Sequence, residues 1–217
     1  MMHRPSRGSP ARSKARAWVA AGAAVAVLAG LWLVWPSGRV KNRDSRGTTL
    51  IAFGDSLTAG YGAGEGEDFP SRLAALLHRE VLNAGVSGDT TEMALARLEN
   101  DVLARDPKLV IVGLGGNDFL QSVPLATTEA NLRSIVRRIQ QRGAMVILLG
   151  YRFPSLQNNY GAMYERIADD EECLLVPDLL DGILSDSSLK SDEIHPNARG
   201  YAMLAERIAP SVNKLIK

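Results

Sequence analysis

A serine hydroxyl attacks a carbonyl only when a base takes its proton, and histidine is the usual base. The chain holds three histidines, so few assignments compete. His3 lies in a basic N-terminal tail. His78 stands near the end of the helical pattern LAALLHRE, where a cation meets the negative end of the helix dipole, and that structural role suffices for it. His195, in SDEIHPNARG, precedes Pro196, a residue suited to the first turn of a helix. Asp192 stands three residues earlier, and a single turn can aim its carboxylate at one ring nitrogen while the other stays free. Asp-x-x-His alone is common by chance, and Glu193 is a rival acid, although adjacent side chains tend to point apart. The candidate nucleophile is Ser56 in GDSLTAGYG, directly after the apolar run LIAF.

A tetrahedral intermediate also needs donors for its oxyanion. Gly88, in VSGDT, would let a backbone N–H approach a ligand closely. Asn117, in GLGGNDF, carries a side-chain amide that can donate. Each motif alone reads equally well as a turn between a strand and a helix. In FLQSVPLATT, Phe119 and Leu120 are candidates for a wall against an acyl chain, or are loop residues packing on the core. GAGEGE, Gly62–Glu67, lacks the Lys-Ser/Thr context of a phosphate loop and reads as a flexible loop.

These residues need a frame. TTLIAFGD, VLNAGVSG, KLVIVGLGG, AMVILLGY and CLLVPDLL read as strands. Between them stand helical patterns, DFPSRLAALLHREV, TTEMALARLENDVLARD, TTEANLRSIVRRIQQRG and NNYGAMYERIADDEE, and PNARGYAMLAERIAPSVNKLI follows the last strand. Continuous Val/Ile/Leu strands alternating with helices predict an α/β fold, a three-layer α/β/α sandwich with a parallel, flavodoxin-like sheet. Ligands of such sheets bind beyond the carboxyl ends of the strands, and every candidate above falls at such an end. One domain, 48–217, accounts for this pattern.

The first residues are of another kind. Residues 1–16 carry five basic side chains and no acid, and Ala17–Trp35 carries no charge at all. At ~1.5 Å per residue that run is about as long as a hydrocarbon core is thick. It predicts a transmembrane signal anchor, or a cleaved signal peptide with Val27 and Ala29 as the small-residue pair. Residues 36–47 read as a linker. The charge bias across the run is slight, yet a short basic tail stays most easily in the cytosol, which places the domain on the extracytoplasmic side, secreted if the run is cleaved. A formal net charge of +1 gives no reason to expect nucleic acid. The single cysteine excludes an internal disulfide framework and a Cys-based metal site.

Taken together and in order, GDSLTAGYG, SGDT, GGND and DEIHP resemble the blocks of the SGNH/GDSL hydrolases, over Thr48 to the C-terminus. With Asn159–Gly161 they look most like the bacterial thioesterase/lysophospholipase and arylesterase branch. The resemblance implies Ser56 as nucleophile, His195 as base and then acid, and Asp192 as its orienting carboxylate. It implies Ser56 N–H, Gly88 N–H and the Asn117 side chain as oxyanion donors, with Asp55 holding the loop. It implies hydrolysis of esters or thioesters through an acyl-enzyme, without metal or cofactor, on a small-molecule ester or acyl-lipid substrate. The α/β-hydrolase elbow, Gly-x-Ser-x-Gly, does not stand here, since the fifth residue is Thr58. Two other readings compete: a carbohydrate O-acetylesterase, and a non-catalytic membrane-tethered binding module.

Overall fold

The computed structural model describes residues 39–152 and 159–217. Five strands, β1 (Thr49–Gly54), β2 (Leu82–Gly85), β3 (Pro107–Gly113), β4 (Met145–Leu149) and β5 (Leu174–Val176), form one sheet in the order β2-β1-β3-β4-β5. Every pairing is parallel. This is the flavodoxin-like order, in which the chain reverses direction between β1 and β3 and leaves a crevice above them. β4 is buried along its whole length and β3 almost so. Such strands need cover on both faces.

Among the described residues seven α-helices surround the sheet: α1 (Ser56–Ala59), α2 (Phe69–Leu77), α3 (Thr91–Asp101), α4 (Gly116–Leu120), α5 (Leu125–Gln141), α6 (Tyr160–Asp170) and α7 (Ala198–Ile216). α2 packs against α7, and α5 packs against α3 and α6. On α5 an apolar stripe of Leu132, Ile135, Val136 and Ile139 is fully buried. Helix starts follow cap chemistry: Asp68, Thr90 and Asn197 each accept a backbone N–H from the first turn of α2, α3 and α7. The segment 119–128 is not one loop. Its first two residues close α4, and α5 begins at Leu125 after Pro124, whose φ of −54 suits a helix start.

The strand ends explain how the chain turns toward a site. Gly85, Gly54 and Gly113 stand side by side in register across β2, β1 and β3. A Cβ on Gly54 would collide with the Thr58 side chain and with the Gly113 carbonyl, and one on Gly85 with the backbone of Ala59. The glycine row therefore lets α1 sit directly on the sheet.

Residues 39–47, within the stretch expected as a linker, are fastened to the opposite end. Asn42 Nδ2 donates to Gln140 O at 2.8 Å and to Ala144 O at 2.9 Å, and Lys41 N donates to Glu172 O at 2.9 Å. The basic tail and the uncharged run Ala17–Trp35 lie outside the described residues. Among the described residues no helix is long and apolar enough to cross a membrane.

Candidate active site

β1 ends at Gly54, and Asp55 caps α1, its Oδ1 accepting Leu57 N–H at 3.0 Å. Ser56 is thereby the first residue of a short helix, where backbone N–H groups have no intrahelical acceptor. Asp55 is buried, and burial pushes its carboxyl up to about 7; Leu57 N–H works against that rise, and the charges of Asp89 and Asp118 add to it.

His195 meets this turn from the far end of the sequence. Its Nε2 lies 3.0 Å from Ser56 Oγ, and its Nδ1 lies 2.8 Å from Asp192 Oδ2. Asp192 Oδ1 accepts Ile194 N–H at 2.9 Å and His195 N–H at 2.8 Å, so a local turn holds the carboxylate under the ring. Those bonds keep the Asp192 carboxyl below the usual carboxylate range, the Ile194 N–H first and the His195 ring after it. Tyr61 covers a face of the imidazole, with ring centroids 4.5 Å apart, and its carbonyl accepts the Tyr201 hydroxyl at 2.8 Å.

The other motifs converge on the same place by long-range bonds. Gly115, at φ +112, turns the chain from β3 into α4. Asn117 Nδ2 donates to Asp89 O at 2.9 Å, which leaves the second amide hydrogen uncommitted. Beside it, buried Asp118 accepts Thr91 N–H at 2.9 Å and the Thr91 hydroxyl at 2.5 Å. The GGND segment is thus locked both to SGDT, through Asp89, and to the first residue of α3, Thr91.

Arg97, on α3, ties this assembly to the nucleophile turn. It donates to Asp89 Oδ2 at 2.6 Å, to Gly54 O at 2.9 Å, to Ala84 O at 3.0 Å and to Asp101 Oδ2 at 2.8 Å. Its guanidinium also lies 4.5 Å from the centre of the Phe53 ring. One side chain spans the ends of β1 and β2 and the loop that follows β2. Sequence reasoning missed Arg97, because LARLEND holds only its i,i+4 partner Asp101, and nothing in it names Asp89, Ala84 or Gly54 as acceptors. The glycine row had a visible signal, since each of β1, β2 and β3 ends on glycine ahead of a motif.

A cavity of about 730 Å³ opens at Ser56. Ser56, Asn117 and His195 line it, and so do Phe119 and Leu120, the two residues expected as a wall. Tyr151, Leu180, Leu184 and Ile194 extend the apolar surface. Phe119 also packs edge-on against Tyr160, at 5.7 Å between ring centres. Gly88 does not line the cavity. It stands at φ +88 just before Asp89, the residue that holds Asn117. Asp192 lies behind His195 and does not line it either. His78 caps α2 in the left-handed conformation and is exposed.

Residues 52–203 match the model of the GDSL-like lipase/acylhydrolase family. The chain belongs to that family. It is 33% identical over 182 residues to esterase TesA of Pseudomonas aeruginosa, covering 77% of this chain and 89% of that protein. It is 31% identical over 185 residues to thioesterase 1/protease 1/lysophospholipase L1 of Escherichia coli, covering 80% and 88%. A crystal structure of TesA superposes with a TM-score of 0.73 at 31% identity, covering 78% of this chain and all of that one. The chain is a carboxylic ester hydrolase of the SGNH type, as this kinship and the arylesterase of Vibrio mimicus, 32% identical over 179 residues, establish.

Proposed function

We propose that the hydrolase cleaves esters and thioesters of apolar acyl groups through an acyl-Ser56 intermediate. The observation that carries this is the relay from Asp192 to His195 to Ser56, at 2.8 and 3.0 Å, at the mouth of a cavity with an apolar wall. His195 Nε2 takes the Ser56 proton as Oγ bonds to the acyl carbon. The carbonyl oxygen becomes an oxyanion, received by Ser56 N–H, Gly88 N–H and Asn117 Nδ2. As it collapses, the bond to the leaving oxygen or sulfur breaks, and His195 passes its proton to that atom. Water then repeats the sequence and frees the acid and Ser56. Asp192 holds the imidazole in the tautomer this needs. Phe119 and Leu120 receive the acyl chain, which favours acyl lipids such as lysophospholipids, aryl esters and acyl thioesters over acetylated carbohydrate. These steps need no metal or cofactor.

Two measurements test the reading together. A fluorophosphonate should label the wild type and not Ser56→Ala. kcat/KM on p-nitrophenyl esters should rise from acetyl toward medium chains. Labelling of the alanine variant would remove Ser56 as nucleophile, and a maximum at acetyl would return the carbohydrate-esterase reading.

The uncharged run Ala17–Trp35 behind a basic tail supports an N-terminal anchor with the catalytic domain on the extracytoplasmic side. The full chain should then sediment with membranes and lose that behaviour on deletion of 17–35. A membrane-impermeant fluorophosphonate should still reach Ser56 in cells whose cytoplasmic membrane is intact.

A further inference from the structure

The charge of the cavity wall bears on which leaving group the site accepts. Besides the buried Asp55, three carboxylates line it, Asp178, Asp181 and Glu193, against one cation, Arg152. That cation is already engaged. Arg152 Nε donates to Asp178 Oδ1 at 2.9 Å, and Nη2 lies 3.9 Å from Glu165 Oε1. Asp181 has no ion pair among the described residues. Glu193 meets Lys190 at 3.3 Å, but its side chain is 94% exposed, and the pair is a weak, solvated one.

The placement of Glu193 matters because the leaving atom must receive its proton from His195. The leaving group therefore lies on the His195 side, and the two residues preceding His195 in the chain, Glu193 and Ile194, both face the cavity. An entering leaving group meets an apolar side chain beside a carboxylate whose one ion pair, with Lys190, is solvated. Asp181 contributes a second one from the segment after β5.

We infer that the site discriminates among esters and thioesters by leaving-group charge, accepting neutral or cationic groups and disfavouring polyanionic ones such as coenzyme A, with Glu193 and Asp181 as the specificity-determining residues. The inference rests on the reading of Ser56 as the acylated nucleophile. Two like charges about 8 Å apart in water weaken binding about twofold. A leaving group with several negative charges facing two carboxylates is accordingly disfavoured about tenfold. The effect weakens as salt shortens the range of these interactions.

A matched pair isolates the charge: octanoyl-pantetheine and octanoyl-CoA share the acyl chain and the scissile thioester. The ratio of kcat/KM for octanoyl-CoA to that for octanoyl-pantetheine should be about 0.1 at low ionic strength and climb toward one at 0.5 M salt. In Glu193→Gln with Asp181→Asn the low-salt ratio should rise about fivefold, and in Glu193→Lys with Asp181→Asn further still. Taking the ratio within each variant cancels any general loss from the substitutions. A wild-type ratio near one, or a ratio that neutralisation and salt both leave unmoved, overturns the inference and leaves the esterase reading standing. Failure of both thioesters to turn over overturns the inference together with that reading.

Discussion

The two halves of the site are held in opposite ways. The nucleophile half, Ser56 with Asn117 and the SGDT loop, is assembled by bonds between segments far apart in sequence, most of them partly or fully buried. Asp118 to Thr91, Asn117 to Asp89 and Arg97 to Asp89, Gly54 and Ala84 each cross between elements. The histidine half is a local turn near the surface, in which Asp192 serves Ile194, His195 N–H and the His195 ring within three residues. The first half is expensive to disturb for the whole domain. The second can be altered with little effect on folding, so its chemistry and its stability are separable.

The largest expected effect tests that separability. Asp192→Asn keeps an oxygen for the two backbone N–H groups but offers the ring an N–H donor where a carboxylate acceptor stood. His195 should then settle in the wrong tautomer. kcat should fall about 10⁴-fold, as for an Asp-to-Asn change in a known triad. Because Asp192 is 44% exposed, urea unfolding should move by no more than ~0.5 kcal/mol. A stability loss of several kcal/mol would show that the histidine half, too, is part of the frame.

The counterpart is Arg97→Met. It leaves the carboxylate of Asp89 without its cation and two strand-end carbonyls without their donor, while Met fills much of the volume. Breaking one partner of a buried pair costs about 3–5 kcal/mol, and the Arg97 side chain is 18% exposed, which places the expected loss near the lower figure. kcat should drop about tenfold with KM little changed, since the oxyanion donors shift but the apolar wall does not. Arg97→Lys should recover part of the stability through Asp89 and less of the activity. Equal stability in urea for Arg97→Met and the wild type would show that the cross-bracing is ornamental.

The same contrast explains what could be read from the sequence. Asp192, His195 and Pro196 form a local unit, so their spacing offered the pairing as a candidate, which the other motifs in order then singled out. Ser56, Gly88 and Asn117 were visible as motifs at strand ends, because a parallel sheet brings all carboxyl ends to one side. The strands and long helices were visible too, since β4 and α5 carry unbroken apolar runs or stripes. The braces were not visible: Arg97 sits in an ordinary amphipathic helix, where only Asp101 is its neighbour, and Asp89, Ala84 and Gly54 come within reach only once the sheet has formed. The short helices α1 and α4 also escaped, because four or five residues carry no periodicity. The apolar wall was seen only as Phe119 and Leu120, since Tyr151, Leu180, Leu184 and Ile194 reach it from segments with no motif.

The smallest expected effect concerns the charge hidden in the nucleophile half. Asp55 sits beside the reacting serine with its carboxyl pushed by burial from an ordinary 3.8 up to about 7. Between those two values the folded chain holds a proton there that the unfolded chain has released. Stability must therefore fall as pH rises through this window, by about 1.4 kcal/mol per unit, and level off above pH 7 where both states are ionised. Asp55→Asn removes the titration but keeps the oxygen that accepts Leu57 N–H. The variant should thus gain on the wild type by about 2 kcal/mol between pH 5 and pH 7, read as the difference between urea midpoints multiplied by m. The exposed histidine half contains no buried carboxyl, and the carboxyl of Asp192 is held low, so it stores no such proton across that range. Parallel curves for Asp55→Asn and the wild type would mean that Asp55 is already ionised at pH 5. The bracing around Ser56 would then tolerate a buried negative charge without loss.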